Sequence, residues 1–180
     1  MISNRTIMNL FLALILCSFS ILLNAQDNAR LNRDRFKLVL AVDSNASYDL
    51  DVKSSAYLNG PNVLQLYPGE KVYLEIEEVN GVISNITSVK ENKNPDRTIE
   101  VSFYQDVKSG KNAGMILKIN NPFKMNLTYS AKIFLMKESK WVETSVMPVR
   151  AGLSSFETWP DVIVTIALKD WQLSKDSNKK

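Results

Sequence analysis

The chain reads as an all-β protein, an antiparallel β-sandwich in a single domain behind an N-terminal export signal. Three observations carry that expectation. After residue 35, apolar and polar residues alternate at a period of two through most segments, the spacing that sends successive side chains to opposite faces of a strand. Turn punctuation such as Pro68-Gly69, Pro95 and Asn121-Pro122 divides those segments into short pieces. No segment past the first 25 residues shows the apolar stripe of an amphipathic helix.

Residues 1–25 have a single cation, Arg5, then an apolar run from Ile7 to Leu23 broken only by Asn9, Ser18 and Ser20, and end on the small residue Ala25 before Gln26. This is the layout of a secretory signal peptide cleaved after Ala25. Two alternatives rank second. Lipidation at Cys17 is disfavoured because Leu16 precedes it and apolar residues follow it. An uncleaved anchor would need the run of about 17 residues to span a bilayer, at the short end of the usual range. No stable membrane span is therefore expected after cleavage.

Residues 26–35, "QDNARLNRDR", are a polar lead-in without apolar period, and residues 36–173 are expected to form the sandwich domain. The first strands are "FKLVLAVD", with Phe36, Leu38, Leu40 and Val42 on one side, and "YDLDVK", with Tyr48, Leu50 and Val52 on one side. "NVLQLY" ends at Pro68-Gly69. "EKVYLEIEEV" then sets Val72, Leu74 and Ile76 against Tyr73, Glu75 and Glu77. "VISNITSV" is a weaker strand, "KENKNPDR" a loop, and "TIEVSFYQ" sets Ile99, Val101 and Phe103 against Glu100, Ser102 and Tyr104. "MILKIN" and "YSAKIFLMK" flank an Asn-Pro break, and "ESK" joins the latter to "WVETSVMPV" as a hairpin. In the last strand Val162, Val164, Ile166 and Leu168 share a face, after which the parity moves to Trp171 and Leu173. A β-bulge near Lys169 and Asp170 would produce that shift. Residues 174–180 are expected to be a disordered, lysine-rich tail. The mixture of long and short connections favours Greek-key crossovers over an up-and-down barrel.

Composition excludes more than it specifies. The chain contains no histidine, and its single cysteine, Cys17, lies in the export segment. Thiol nucleophiles, Ser-His-Asp hydrolysis and ordinary zinc sites therefore have no parts in the mature chain, and neither a metal site nor a cofactor is expected. The formal charge of +3 falls to about +2 without Arg5. The cations are dispersed, so no nucleic-acid partner is expected.

Candidate functional residues fall in two groups. In "PVRAGLSSFETWPDVIV", Glu157 and Asp161 flank Trp159 and Pro160. Paired carboxylates beside an aromatic can serve sugar chemistry. The favoured reading is a corner, in which the "RAGLSS" loop crosses between sheets, Trp159 plugs the end of the core, and Glu157 bonds backbone amides or Arg150. The second group comprises Phe134, Met136, Tyr73 and Tyr104, which with Val39 fall on the polar side of their strands and would form a binding patch if they converge.

Other motifs are structural in this reading. In "DSNASYDLD", Asp43, Asn45, Ser47 and Asp49 alternate as calcium ligands do, but Tyr48 stands where the loop needs glycine and Ser54 where it needs glutamate. Glycosylation triplets occur at Asn45, Asn85 and Asn126. The strand-Asn120-Asn121-Pro122-strand arrangement resembles immunoglobulin-like and water-stress-type β-sandwich domains over about 20 residues, a resemblance that implies a fold class and no function.

The expectation is an exported, immunoglobulin-like β-sandwich, secreted, periplasmic or at the cell surface. It is read as non-catalytic, binding or assembling with another envelope or extracellular protein. The alternative is a carbohydrate-binding or carbohydrate-active protein that uses Glu157, Asp161 and the tryptophans Trp141, Trp159 and Trp171.

Overall fold

The computed structural model describes residues 31–174. The export segment, the first five residues of the lead-in and the tail beyond Ser174 lie outside them. The chain opens with β1 (Asn32–Arg33), the hairpin of β2 (Phe36–Asp43) and β3 (Ala46–Val52), and β4 (Ser55–Ala56). Next come β5 (Leu58–Asn59), β6 (Val63–Leu66), β7 (Glu70–Val79) and β8 (Val82–Val89). After a 3-10 turn at Pro95–Arg97 follow β9 (Thr98–Lys108), β10 (Lys111–Asn120), β11 (Asn126–Leu135), β12 (Lys140–Thr144), β13 (Ser154–Trp159) and β14 (Ile163–Ser174).

These strands form an all-β sandwich. One five-stranded sheet has the order β13-β10-β9-β7-β8, and the other β12-β11-β14-β6-β5. Their inner faces share a single core in which Leu64, Leu66, Leu74, Ile99, Phe103, Leu117, Ile119, Leu127 and Ile166 are fully enclosed. Each is an alternate residue of its strand, so the period of two in the sequence becomes one buried face per strand. Enclosing one such side chain stabilises the fold by roughly 1.5 to 3 kcal/mol relative to exposure.

The last strand departs from the expected parity. Ile163, Ile166 and Leu168 enter the main core, whereas Val164, with Val162 packed beside it, faces the opposite side. The cause is a register break against β11, where Phe134 pairs with Thr165 but Leu135 pairs with Ile163, leaving Val164 as an extra residue. A second break lies where the parity switch predicts it: Thr128 pairs with Gln172 and Ser130 with Lys169, and Asp170 takes a left-handed φ of 57°. It returns Trp171 to the core, stacked on Tyr129 at 5.5 Å.

The hairpin of β2 and β3 belongs to neither large sheet. Leu38, Leu40 and Val52 pack with Val164 on the outside of the second sheet, against Phe134, Met136, Val162 and Tyr67. Its tip is held by Gln105 of β9, whose carboxamide accepts from Ala41 N at 2.9 Å and donates to Ala41 O at 2.8 Å. Its base is the β1–β4 ladder, in which Arg33 of the expected polar lead-in is buried at 2% exposure.

Candidate functional site

The connection from β12 to β14 places Glu157 and Trp159. β12 and β13 are edge strands of opposite sheets, and the segment between them lies along β11 through paired Leu127–Val149 backbone bonds of 2.9 Å. Along β13, Ser155, Glu157 and Trp159 point toward the gap between the sheets while Phe156 and Thr158 point out. Glu157 Oε1 accepts from Met147 N at 2.6 Å, and Trp159 Nε1 donates to Thr144 Oγ1 at 2.9 Å. Trp159 thus ties one sheet edge to the other, and Glu157 ties β13 to the segment that joins the two edges. The Tyr129 hydroxyl, buried and without a hydrogen-bond partner among the described residues, is held well above the usual tyrosine range, first by burial and then by the charge of Glu157.

Asp161 serves a different place. It is exposed in the turn after Pro160 and lines a recess of about 280 Å³ with Val42, Asn112, Met136, Lys137 and Glu138. Glu157 is not part of that recess. The three tryptophans are equally dispersed: Trp159 bridges the edges, Trp171 is in the core with Nε1 on Asn62 O at 3.1 Å, and Trp141 packs edge-on against Phe134 at 5.6 Å on the outside of the second sheet. The fold does not assemble them into one aromatic platform.

The outward-parity residues divide between two faces. Phe134 and Met136 do leave the main core, but the hairpin of β2 and β3 covers them and both are half-buried. The sequence does not show that cover, because a hairpin's docking partner has no local signature. Tyr73 and Tyr104 share the outer face of the first sheet. Cross-strand register sets Tyr104, Ile116 and Thr158 in one row, and Ser102, Lys118 and Phe156 in the next. Tyr73 lies in the following row with Glu100 and Asn120.

No protein-family model, curated protein or solved structure matches this chain.

The residue that sequence reading missed on this face is Phe156, 59% exposed. Its signal was its parity, opposite to that of Glu157 and Trp159 in "SSFETW". Lys118 Nζ stands 5.8 Å above its ring. Lys71 Nζ lies 5.0 Å from the Tyr73 ring and 3.0 Å from Glu100, and these two neighbours hold its ammonium above the usual lysine range. The face therefore combines exposed aromatic area with fixed cations. Among the described residues no group of three or more carboxylates, thiols or imidazoles is placed to hold a metal ion, and no helix is long and apolar enough to cross a membrane.

Proposed function

We propose that this chain is an exported, non-catalytic β-sandwich of immunoglobulin-like type that binds or assembles with another envelope or extracellular protein through the outer face of its first sheet. The single observation that carries the reading is Phe156, left 59% exposed on the edge strand β13, one row from Tyr104, Ile116 and Thr158. A phenyl ring in that position is of the kind that anchors protein interfaces, where a few aromatic residues supply most of the binding energy. The commitment of Glu157 to the Met147 amide supports the non-catalytic part. Crossovers from β6 to β7, β10 to β11, β12 to β13 and β13 to β14 support the immunoglobulin-like type. The export part rests on the Arg5, Ile7-to-Leu23 and Ala25 pattern.

The test is quantitative capture from the native envelope fraction by the purified protein and its Phe156→Ser variant. The variant is expected to melt at the wild-type temperature and to retain at least tenfold less of the captured partner. Equal capture would overturn the assignment of this face. A glycan array bound by the wild type and lost in Phe156→Ser would move the same face to carbohydrate recognition.

A further inference from the structure

The sequence contains two asparagine-glycine pairs, Asn59-Gly60 and Asn80-Gly81. In such a pair the glycine nitrogen can attack the asparagine side-chain carbonyl, because no Cβ on the following residue blocks the approach. The bond to the side-chain amide nitrogen breaks, ammonia leaves, and water opens the resulting succinimide to aspartate or isoaspartate. The dipeptides are identical, so a difference in their reactivity has to come from the fold. Both asparagines are exposed at hairpin turns, Asn59 at the end of β5 and Asn80 between β7 and β8.

The two glycine nitrogens are held differently. Gly81 N donates to Glu78 Oε2 at 2.6 Å. Attack requires a nitrogen that has lost its proton, and here a carboxylate both holds that proton in a short charge-assisted bond and opposes a second negative charge beside its own. The turn is also crowded, with Met125 Sδ 3.5 Å from the point where a Cβ on Gly81 would stand. Gly60 N donates to no group among the described residues. Beyond its chain neighbours, no described atom lies within 4 Å of the corresponding point on Gly60. The Asn59 carboxamide makes one long bond, to Ala56 O at 3.4 Å, and Asn59 with Val63 is the last pair of a two-residue strand. Opening that pair to reach the ring-closing geometry disturbs little structure.

We propose that Asn59 is the residue at which the folded chain deamidates, and that Glu78 keeps Asn80 unreactive. Isoaspartate at position 59 inserts an extra backbone carbon just before the turn that presents Asn62, whose carbonyl accepts from Trp171 Nε1 at 3.1 Å. The modification therefore reaches the core through this turn. The site is separate from the Phe156 face, and neither proposal depends on the other.

The test is ageing of the purified protein in mildly alkaline buffer, with conversion at each asparagine followed by peptide mapping and mass spectrometry. In the folded protein Asn59 is expected to convert at least fivefold faster than Asn80, and in concentrated urea the two rates should agree within twofold. Glu78→Ala should raise the Asn80 rate at least threefold and leave the Asn59 rate unchanged. The isoaspartyl fraction, separated by chromatography, should melt below the unconverted protein, whereas Asn59→Asp, which adds the charge without the extra carbon, should melt with it. Conversion of Asn80 as fast as Asn59 in the folded protein, a preference that persists unchanged in urea, or an Asn80 rate indifferent to Glu78→Ala would each overturn the proposal. So would a slower Asn80 rate in Glu78→Ala, which would show the carboxylate drawing the proton off as a general base. An isoaspartyl fraction that melts with the unconverted protein would overturn the link to Trp171.

Discussion

Arg33 Nε donates to Glu70 Oε1 at 2.8 Å, with the two side chains 1% and 8% exposed. The guanidinium lies 4.7 Å from the Tyr57 ring centre and 5.1 Å from that of Tyr67, and it also donates to Ser55 Oγ and Gln65 O. Glu70 Oε2 accepts from Tyr67 N. This pair fastens the first described residues to β4, β6 and β7, and so fixes the base of the hairpin. Removing one partner strands the other charge in a dry site. Arg33→Met or Glu70→Leu alone should each cost about 3 to 5 kcal/mol, and the double variant should cost at least about 2 kcal/mol less than their sum. Denaturant titration of the four proteins measures the coupling; simple additivity would show that the two charges act separately.

Tyr129 gives a prediction in pH. Its folded-state pKa is raised by burial and by Glu157, so the native protein keeps a proton that the unfolded chain releases above about pH 10. Stability is intact below that pH and falls as pH rises toward the folded value. Tyr57, raised chiefly by burial, acts in the same direction. Tyr129→Phe should therefore flatten part of the alkaline decline. Because the hydroxyl has no partner among the described residues, its removal should leave stability at pH 7 unchanged or higher by up to about 1 kcal/mol. A large loss in thermal melts at pH 7 would mean that the hydroxyl is bonded.

The alternation in β2, β3, β7, β9 and β10 was legible because each strand buries one face only, so the pattern of Val72, Leu74 and Ile76 is also the pattern of burial. The bulge at Asp170 was legible because the apolar parity changes across it. The bulge at Val164 was hidden, since an apolar layer covers the strand on both sides and valine suits either. Arg33 was hidden for a related reason: a charged residue in a polar stretch gives no sign that Glu70, 37 positions away, neutralises it. The candidate site divided in the same way. Outward parity correctly placed Tyr73 and Tyr104, but the cover over Phe134 and Met136 depends on tertiary docking that no local pattern encodes.

Asn121 is fully buried and saturates its side chain locally. Its amide donates to Met125 O at 2.8 Å, Val149 O at 3.0 Å and Arg150 O at 3.2 Å, while its oxygen accepts from Phe123 N at 3.0 Å. The Asn-Pro break is thus the fastening of the β10–β11 loop to the segment between β12 and β13. Asn121→Ala should cost roughly 3 kcal/mol, because several backbone groups lose partners together. Asn121→Asp keeps the acceptor for Phe123 but sets a carboxylate against carbonyl oxygens. It should cost at least as much at pH 7 and recover some stability as acid protonates it. Chemical denaturation at pH 7 and pH 4 separates the two effects, and a neutral Asn121→Ala would refute the fastening role.

Trp159 and Glu157 decide whether the β12–β13 edge is architecture or a working site. Trp159 is half-buried against the core and bonded to Thr144. Trp159→Ala should therefore cost about 2 to 3 kcal/mol, below the range of about 3 to 5 for a fully buried aromatic. Glu157→Gln retains an oxygen that can accept from Met147 N and loses only the charge assistance of that bond. The bond lies at the exposed margin, so the loss should be about 0.5 to 1.5 kcal/mol. Glu157→Ala removes the acceptor and should exceed the glutamine variant. The measurement is urea unfolding of all three, with m-values compared to confirm a common unfolded state. A ligand or catalytic site predicts the opposite order, because functional acids are commonly held at some expense to the fold. If Trp159→Ala and Glu157→Ala both unfold at the wild-type midpoint, the edge is not held by these two side chains, and their inward placement then requires a ligand to explain it.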